Sequence, residues 1–208
     1  MQSILITTAY LGPVSYFSAI SRADKIIIEQ FDSYHKQTYR NRCRILGANG
    51  PLDLVVPVVK ASITKTLVKD VRIDYATRWQ SIHWRSLFSA YNSSPFFEYF
   101  ADVFSPFYSK KWNFLIDFNQ ELTLLILELM QIEKEMKLSF CYEKSFAEGI
   151  DMRESFSPKN KESKEVGQCI HKTYTQTFSA KFGFVPGLSI IDLLFNMGPE
   201  SERILLNK

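Results

Sequence analysis

Ser3-Ile-Leu-Ile-Thr7, Val14-Ser-Tyr-Phe-Ser-Ala-Ile-Ser-Arg22 and Lys25-Ile-Ile-Ile-Glu29 follow one another near the start of the chain, and together they decide the fold. The two outer runs are short, apolar and β-branched, as buried strands are, whereas the middle run has helical spacing. Strand, helix and strand in this order predict a βαβ-like unit. Its first loop, Tyr10 to Pro13, then lies at the carboxyl end of the first strand, where open α/β sheets bind ligands.

A β-hairpin is predicted next. Asn49-Gly50 lies between two extended runs, Tyr39 to Leu46 and Leu52 to Val59. Asn-Gly at the centre of a turn is the strongest short-range signal for a hairpin. In a strand the side chains alternate between two faces, so one face of this hairpin is predicted to be apolar and to join the core.

Three arginines fall on the other face of the first hairpin strand. Arg40, Arg42 and Arg44 alternate, which predicts guanidinium groups on one side with Cα atoms about 6.5–7 Å apart. Guanidinium forks bind phosphate and carboxylate oxygens in pairs, so the trio is a candidate site for a pyrophosphate or a carboxylate. The alternative is that the arginines protect an exposed strand edge and pair with Asp53 or Glu29.

The second half of the chain is predicted to be mainly helical. Apolar residues recur at helical intervals over 79–91, 95–107 and 122–130, and Ser189 with Asp192 marks the start of a helix that runs through Asn196. The predicted class is α/β, with a mixed sheet built from the N-terminal unit and the hairpin; α+β is the alternative. One domain covering residues 1–208 is expected.

Composition narrows the class of protein. Of the 208 residues, 46% are hydrophobic and only eight are glycine and eight proline, which excludes a disordered or fibrous chain. The N-terminus has no basic segment of the kind that begins a secretory signal, and the most apolar run, Leu122 to Met130, is far shorter than the roughly 20 residues of a membrane span. A cytoplasmic protein without a membrane span is predicted.

Gly149 to Gly167 differs from the rest of the chain because it contains eight charged residues, one aromatic residue and one proline. Such a segment buries little apolar surface, so residues 149–167 are predicted to form a mobile loop. Two interpretations remain open, a lid over a site and a surface insertion without a role in function.

Charge is concentrated in one segment. Residues 36–85 contain ten basic and three acidic side chains, whereas the whole chain has a net charge of +3. This pattern favours a local site for a small anionic ligand, and the overall pI of about 8.6 argues against nucleic acid as the partner. Neither a G-x-G-x-x-G or Walker-A loop nor a zinc-type spacing of cysteine and histidine occurs, so no metal is predicted and the cofactor stays unassigned.

His83 is the candidate general base. It lies inside the strongly patterned helix, four residues from both Trp79 and Leu87. An imidazole that is not deeply buried titrates near neutral pH and can take a proton from a substrate. The alternative is a core histidine held by hydrogen bonds.

A series of motifs, spread over nearly the full length of the chain, resembles the motifs of a known family. They are Tyr10-Leu-Gly-Pro-Val-Ser-Tyr-Phe17, Tyr39-Arg-Asn-Arg-Cys-Arg44, His83-Trp-Arg85, Tyr91-Asn-Ser-Ser-Pro-Phe-Phe-Glu-Tyr99, Asp117-Phe-Asn119 and Phe182-Gly-Phe-Val-Pro-Gly-Leu-Ser-Ile-Ile-Asp-Leu-Leu-Phe-Asn196. Together they resemble the WbqC-like protein family. That family is linked with bacterial O-antigen and surface-glycan gene clusters, and one member has been suggested to be a glycine transferase.

The resemblance implies a transferase of bacterial surface polysaccharide biosynthesis that moves an acyl group, such as glycyl, to an amino sugar. Its partners would be a small anionic substrate, such as a nucleotide sugar, or an acyl donor. In this hypothesis His83 accepts the proton of the attacking amine, and the expected substrate-binding residues are Tyr10, Arg40, Asn41, Arg42, Arg44, Arg85 and Asn92. The alternative function is a non-catalytic module that binds RNA, single-stranded DNA or another anionic ligand.

Overall fold

The computed structural model describes residues 2–59, 66–158 and 173–206. The strands are β1 (Ser3–Thr7), β2 (Lys25–Glu29), β3 (Arg42–Gly47), β4 (Gly50–Val55), β5 (Glu135–Leu138) and β6 (Gly149–Asp151). The α-helices are α1 (Val14–Arg22), α2 (Trp79–Tyr91), α3 (Phe97–Phe104), α4 (Leu115–Leu129), α5 (Ser179–Phe182), α6 (Ile190–Met197) and α7 (Ser201–Leu206).

Four strands form one parallel sheet in the order β5-β2-β1-β6. Strands β1 and β2 pair in register from Ser3 and Lys25 to Thr7 and Glu29, and α1 connects them. The predicted βαβ unit is therefore confirmed. A parallel sheet with connecting helices, together with an antiparallel hairpin, also confirms the α/β class. The predicted mixed sheet is wrong, because the hairpin strands β3 and β4 pair only with each other and form a sheet of their own.

The two faces of the parallel sheet are different because side chains alternate along each strand. One face is part of the hydrophobic core and carries the buried residues Ile4, Ile6, Ile26 and Ile28. The other face carries Leu5, Lys25, Ile27, Glu29 and Lys137, and the segment 139–148 lies over it. We call residues 139–148 the roof segment.

The hairpin is present, but its turn lies one residue earlier than predicted. Gly47 pairs with Gly50, so the central turn residues are Ala48 and Asn49. Gly50 follows the turn with a φ of 113°, a conformation that residues with a side chain rarely adopt. This moves the pairing by two positions and leaves each face unchanged, since the side-chain period of a strand is two.

The helical second half also agrees with the sequence pattern. Helix α2 covers Trp79–Tyr91 as predicted, and the aromatic stretch after it forms α3 and a short 3₁₀ turn. Helix α6 begins after Ser189, whose hydroxyl oxygen accepts a hydrogen bond from the backbone N–H of Ile191 at 3.4 Å. Over the described ranges, no helix has both the length and the apolar character required to cross a membrane.

The charge-rich segment at 149–167 has a more complex structure than a loop. Its first three residues form β6, which pairs with β1 in parallel. Gly149 is required there, because a Cβ atom at this position would lie 2.0 Å from the carbonyl oxygen of Ser3. Residues 159–167 of the predicted mobile loop lie outside the described residues.

Candidate functional site at the carboxyl edge of the parallel sheet

The parallel strands end at a common edge, and the chain order places a ligand site there. From β1 the chain passes to β2 on one side, and the sheet is completed by β6 on the other side of β1. Such a point, where strand order reverses, leaves a crevice at the carboxyl ends of the strands in open α/β sheets. The last residues of β2 and β6 are both carboxylates, Glu29 and Asp151.

Arg153 connects these two carboxylates. Its side chain binds Asp151 through two nitrogens, with Nε–Oδ1 and Nη2–Oδ2 distances of 3.0 and 2.5 Å, and its Nη1 lies 3.5 Å from Oε2 of Glu29. The paired hydrogen bonds lower the pKa of Asp151 and raise the pKa of Arg153. Asp151 and Arg153 therefore both stay charged at neutral pH.

Glu29 is almost fully buried, with 1% of its surface exposed, yet it has several partners. Its Oε1 accepts hydrogen bonds from the hydroxyl of Ser139 at 2.9 Å and from the backbone N–H of Phe31 at 2.7 Å. A buried carboxylate is tolerated only when such donors and a positive charge compensate its lost hydration. We call Glu29, Ser139, Asp151 and Arg153 the carboxyl-edge cluster.

The roof segment is tied to the same cluster. Arg153 donates from Nη1 to the carbonyl oxygen of Glu143 at 2.9 Å, and its guanidinium lies 5.2 Å from the ring centre of Tyr142. One arginine thus joins the ends of two strands to the segment that covers the outer face of the sheet. This geometry makes Arg153 the residue that positions the roof.

A cavity of about 180 Å³ lies between the outer sheet face and the roof segment. Its apolar walls include Leu5, Ile27 and Phe146, and Glu29 and Ser139 line it at the carboxyl end of the strands. Apolar walls with a few convergent polar groups are typical of small-molecule sites. In the part of the chain that the structure describes, no three His, Cys, Asp or Glu side chains are placed to hold a metal ion.

The three predicted arginines do not share one face. Arg40 lies before β3, is 3% exposed and binds Asp32 through Nη2 at 2.9 Å, whereas Arg44 is exposed on the hairpin and binds Asp53 through Nε at 2.7 Å. The prediction of a single guanidinium row is therefore wrong, because the strand begins only at Arg42. The alternative of pairing with Asp53 is confirmed for Arg44.

Arg40 is tied to the carboxyl edge through its partner Asp32, which follows β2 by three positions. Burial lowers the pKa of Arg40, while Asp32 and Glu154 raise it in partial compensation. A guanidinium stays charged under such conditions. Its Nε has no hydrogen-bond partner within residues 2–59, 66–158 and 173–206.

His83 is buried and not placed to exchange protons with a substrate. It is 3% exposed, and its Nδ1 lies 2.8 Å from the hydroxyl of Tyr10. The rings of Trp79, Tyr10 and Tyr108 lie against it. Desolvation lowers the pKa of His83 from 6.5 to about 4. The structure thus corrects the general-base assignment in favour of the hydrogen-bonded core histidine.

The remaining predicted residues are distributed over different parts of the surface and core. Asn41 is buried and donates to the carbonyl oxygen of Val56 at 2.9 Å, and Arg42 is half-buried on β3. Arg85 lines a wider hollow of about 500 Å³ between the hairpin and α2, and Asn92 is exposed after α2. These side chains do not converge with His83 on one cavity.

Comparison with known proteins assigns the chain to a family. The model of the WbqC-like protein family matches residues 8–151 and 145–204. The chain belongs to this family. It is also similar to the uncharacterised protein Rv1507c of Mycobacterium tuberculosis, with 26% identity over 222 residues that cover 97% of this chain and 96% of that protein. No solved structure matches the chain.

The family match includes the complete site. Glu29 and Ser139 fall in the first matched stretch of this WbqC-like chain, Arg153 falls in the second, and Asp151 lies where the two overlap. Sequence reasoning missed this cluster. The available signal was that two short runs, Lys25 to Glu29 and Gly149 to Asp151, each end in an acidic residue. The ends of parallel strands meet at one edge of a sheet.

The burial of His83 leads to a pH prediction for this WbqC-like chain. The folded-state pKa lies below the ordinary value, so the unfolded chain binds more protons between pH 6.5 and 4, and folding stability falls as the pH falls through this range. We expect the wild type to lose about 3 kcal/mol of unfolding free energy from pH 7 to pH 4 that a His83→Gln variant does not lose. Urea unfolding of both proteins at each pH measures the difference; a pH-independent difference would contradict the burial of a neutral imidazole.

Proposed function

We propose that this WbqC-like protein is a cytoplasmic transferase of bacterial surface polysaccharide biosynthesis, which transfers an acyl or glycyl group to the amino group of an amino sugar. The proposal combines the implication of the family resemblance with one structural observation. That observation is the buried carboxylate of Glu29 at the end of a ring-sized cavity on the carboxyl edge of the parallel sheet.

The size of the cavity supports a single sugar ring as the bound group. A cavity of about 150 Å³ with apolar walls is large enough for one benzene ring, and this one measures about 180 Å³. The apolar walls can cover the C–H faces of a pyranose, while Ser139 and Glu29 offer hydrogen-bonding groups at one end. An amino sugar has this combination of apolar faces and a polar, basic substituent.

The carboxylate of Glu29 supports the handling of an amine. In the transfer, the uncharged amino nitrogen attacks the acyl carbonyl carbon, a C–N bond forms, and the bond between that carbon and the donor's leaving group breaks. The nitrogen loses one proton, which the leaving group finally takes up, so atoms and charge balance. We assign to Glu29 the orientation of the amine and the transient acceptance of this proton.

The test is a transfer assay with purified protein. Glucosamine and UDP-glucosamine are each incubated with glycyl and acetyl thioesters, and acylated sugar is detected by mass spectrometry. We expect acylated product with the wild type and a rate about a hundredfold lower with Glu29→Gln, which keeps the side-chain volume but removes the basic oxygen. Arg153 retains Asp151 as its partner in this variant.

Glu121→Gln is the matched control, because Glu121 is exposed on α4. It is expected to leave the rate unchanged. Absence of acylated product with every donor and acceptor would refute the transferase proposal. Full activity of a folded Glu29→Gln protein would refute the role of Glu29 alone.

Nucleic-acid binding has less support. Two arginines of the basic segment, Arg40 and Arg44, already have carboxylate partners. Basic side chains bind a nucleic-acid backbone by replacing the counterions around its phosphates. An arginine that is already paired with a carboxylate has to give up this partner first. We therefore keep the small-molecule transferase as the conclusion.

A further inference from the structure

The hollow of about 500 Å³ between the hairpin and α2 shares no lining residue with the cavity at the carboxyl edge. One of its walls is a stripe of α2, the side chains at positions 82, 85, 86, 89 and 90, because residues three and four apart lie on the same face of a helix. The other wall is formed by residues 45 and 47–52 of the hairpin. Pockets that bind small molecules have volumes of about 300–1,000 Å³, so the hollow is large enough for one.

Small residues keep this hollow open. They come from both walls and are Gly47, Ala48, Gly50, Ser86, Ser89 and Ala90. Beyond its own chain neighbours, a Cβ atom at Gly47 would meet only the carbonyl oxygen of Gly50, at 3.7 Å, and a Cβ atom at Gly50 would meet nothing within 4 Å. The described part of the chain therefore leaves the space beside the turn unfilled.

The hollow exposes apolar side chains that a ligand can cover. Leu52 and Ile82 line it and are 44% and 57% exposed. Leu52 shares a face of β4 with buried Leu54, since side chains two residues apart on a strand point the same way. Leu52 thus belongs to the core-facing side of the hairpin and is exposed because it lines the hollow. Covering such surface with an apolar group is favourable in proportion to the area removed from water.

The charge of the hollow is positive. Arg85 is the one charged side chain among the described residues that line it. Asp53, the carboxylate of the hairpin, alternates with the lining residues of β4, so it points to the other face, where it binds Arg44. Near the rim, Lys181 Nζ donates a hydrogen bond to the carbonyl oxygen of Ala48 at 2.7 Å. A negatively charged ligand therefore meets no carboxylate among the described lining residues.

We propose that this hollow is a binding site for a small apolar molecule with one carboxylate group, such as a medium-chain fatty acid. The guanidinium fork of Arg85 donates two parallel hydrogen bonds to the carboxylate, a geometry that suits this group and matches one positive with one negative charge. The apolar part of the ligand lies against Leu52 and Ile82. This site is separate from the transferase site and does not depend on the proposed function.

The experiment is titration calorimetry of the full chain with octanoate, octanamide and octylammonium. These probes share one alkyl chain, whereas their head groups are anionic, neutral and cationic. We expect octanoate to bind about tenfold more tightly than octanamide, because charge-assisted paired hydrogen bonds are stronger than neutral ones, and octylammonium to bind least. From hexanoate to octanoate, the affinity is expected to rise about fourfold for each methylene that becomes buried.

Two variants locate the ligand, each with a matched control. Arg85→Gln is expected to bind octanoate no better than octanamide, whereas Arg78→Gln, at an exposed position directly before α2, should bind like the wild type. Ser89→Phe fills the hollow from an exposed position and should abolish binding of octanoate and octanamide. Ser81→Phe introduces the same ring on the same helix outside the hollow and should leave binding unchanged.

Four results would overturn the assignment. They are no binding of any probe, equal affinity of the wild type for octanoate and octanamide, unchanged octanoate affinity in Arg85→Gln, and unchanged octanoate affinity in Ser89→Phe. Since neither an acyl donor nor an amino sugar is present, octanoate binding without activity in the transfer assay would refute the proposed function and leave this site intact. Transfer activity without octanoate binding would refute this site alone.

Discussion

An Arg153→Met variant is expected to be about 3–5 kcal/mol less stable than the wild type. Methionine fills most of the space but leaves the buried carboxylate of Glu29 without a positive partner, and breaking a buried ion pair on one side has a cost of this size. The roof segment also loses its hydrogen bond at Glu143 and its contact with Tyr142. Urea unfolding followed by circular dichroism measures the loss.

Arg203→Met is the control for this experiment. Arg203 binds Glu200 at 2.9 Å, but both side chains are more than half exposed, so the pair is hydrated and screened. The control is expected to be within about 0.5 kcal/mol of the wild type. If Arg153→Met were equally stable, the carboxyl-edge cluster would not hold the strand ends and the roof together.

An Asp192→Ala variant is expected to lose at least about 2 kcal/mol of unfolding free energy. Asp192 is 1% exposed on α6 and accepts hydrogen bonds from the hydroxyls of Tyr91 and Tyr174, at 3.1 and 2.8 Å, and from Gln176 Nε2 at 3.0 Å. Alanine leaves the two tyrosine hydroxyls without an acceptor, and each such buried donor costs about 1–3 kcal/mol, whereas Gln176 Nε2 keeps the carbonyl oxygen of Val185. Exposed Asp102 on α3, replaced by alanine, is the control and should change little.

The same carboxylate has a pH signature. Burial raises the pKa of Asp192 in the folded chain, with the three hydrogen bonds opposing the shift in part. The folded state then binds more protons than the unfolded state above the ordinary pKa, so stability falls as the pH rises through the folded-state pKa. An Asp192→Asn variant should lack this decrease. Parallel pH profiles of the two proteins would show that Asp192 is not desolvated in the fold.

The arginines at positions 40, 42 and 44 show what an alternating pattern does and does not predict. Alternation predicts which side of a strand a residue faces, and Arg44 does lie on the exposed side of the hairpin while Cys43 is buried. Alternation does not predict where the strand begins. Arg40 precedes β3 and turns inward to Asp32, because a nearby carboxylate compensates a buried guanidinium. The carboxylate partners, eight and nine positions away in the chain, therefore decided where Arg40 and Arg44 lie.

His83 illustrates a second limit. The helical pattern correctly predicted α2, but a histidine on a helix can face either a cavity or a group of aromatic rings, and the spacing is the same in both cases. Its hydrogen bond to Tyr10 joins residues 73 positions apart. Only the packing of that first loop against α2 determined that the imidazole is desolvated and has a low pKa.

The sequence by itself determined the N-terminal unit, the hairpin and the long helices, whereas β6 lies in a segment predicted to be a loop. Apolar β-branched runs around an amphipathic helix specify a βαβ unit, and a glycine-containing turn specifies a hairpin, because these are local consequences of side-chain sterics and of the burial of one face. The family motifs are likewise local and can be recognised without coordinates.

The tertiary structure alone decided the site. Glu29, Ser139, Asp151 and Arg153 are separated by up to 124 positions in the chain, and they meet because β5 and β6 join opposite sides of the first two strands. Their chemistry depends on distance and on the removal of water, which are properties of the packed molecule. No local pattern contains either quantity, and for that reason the cavity and the buried carboxylate that lines it became visible only in the folded chain.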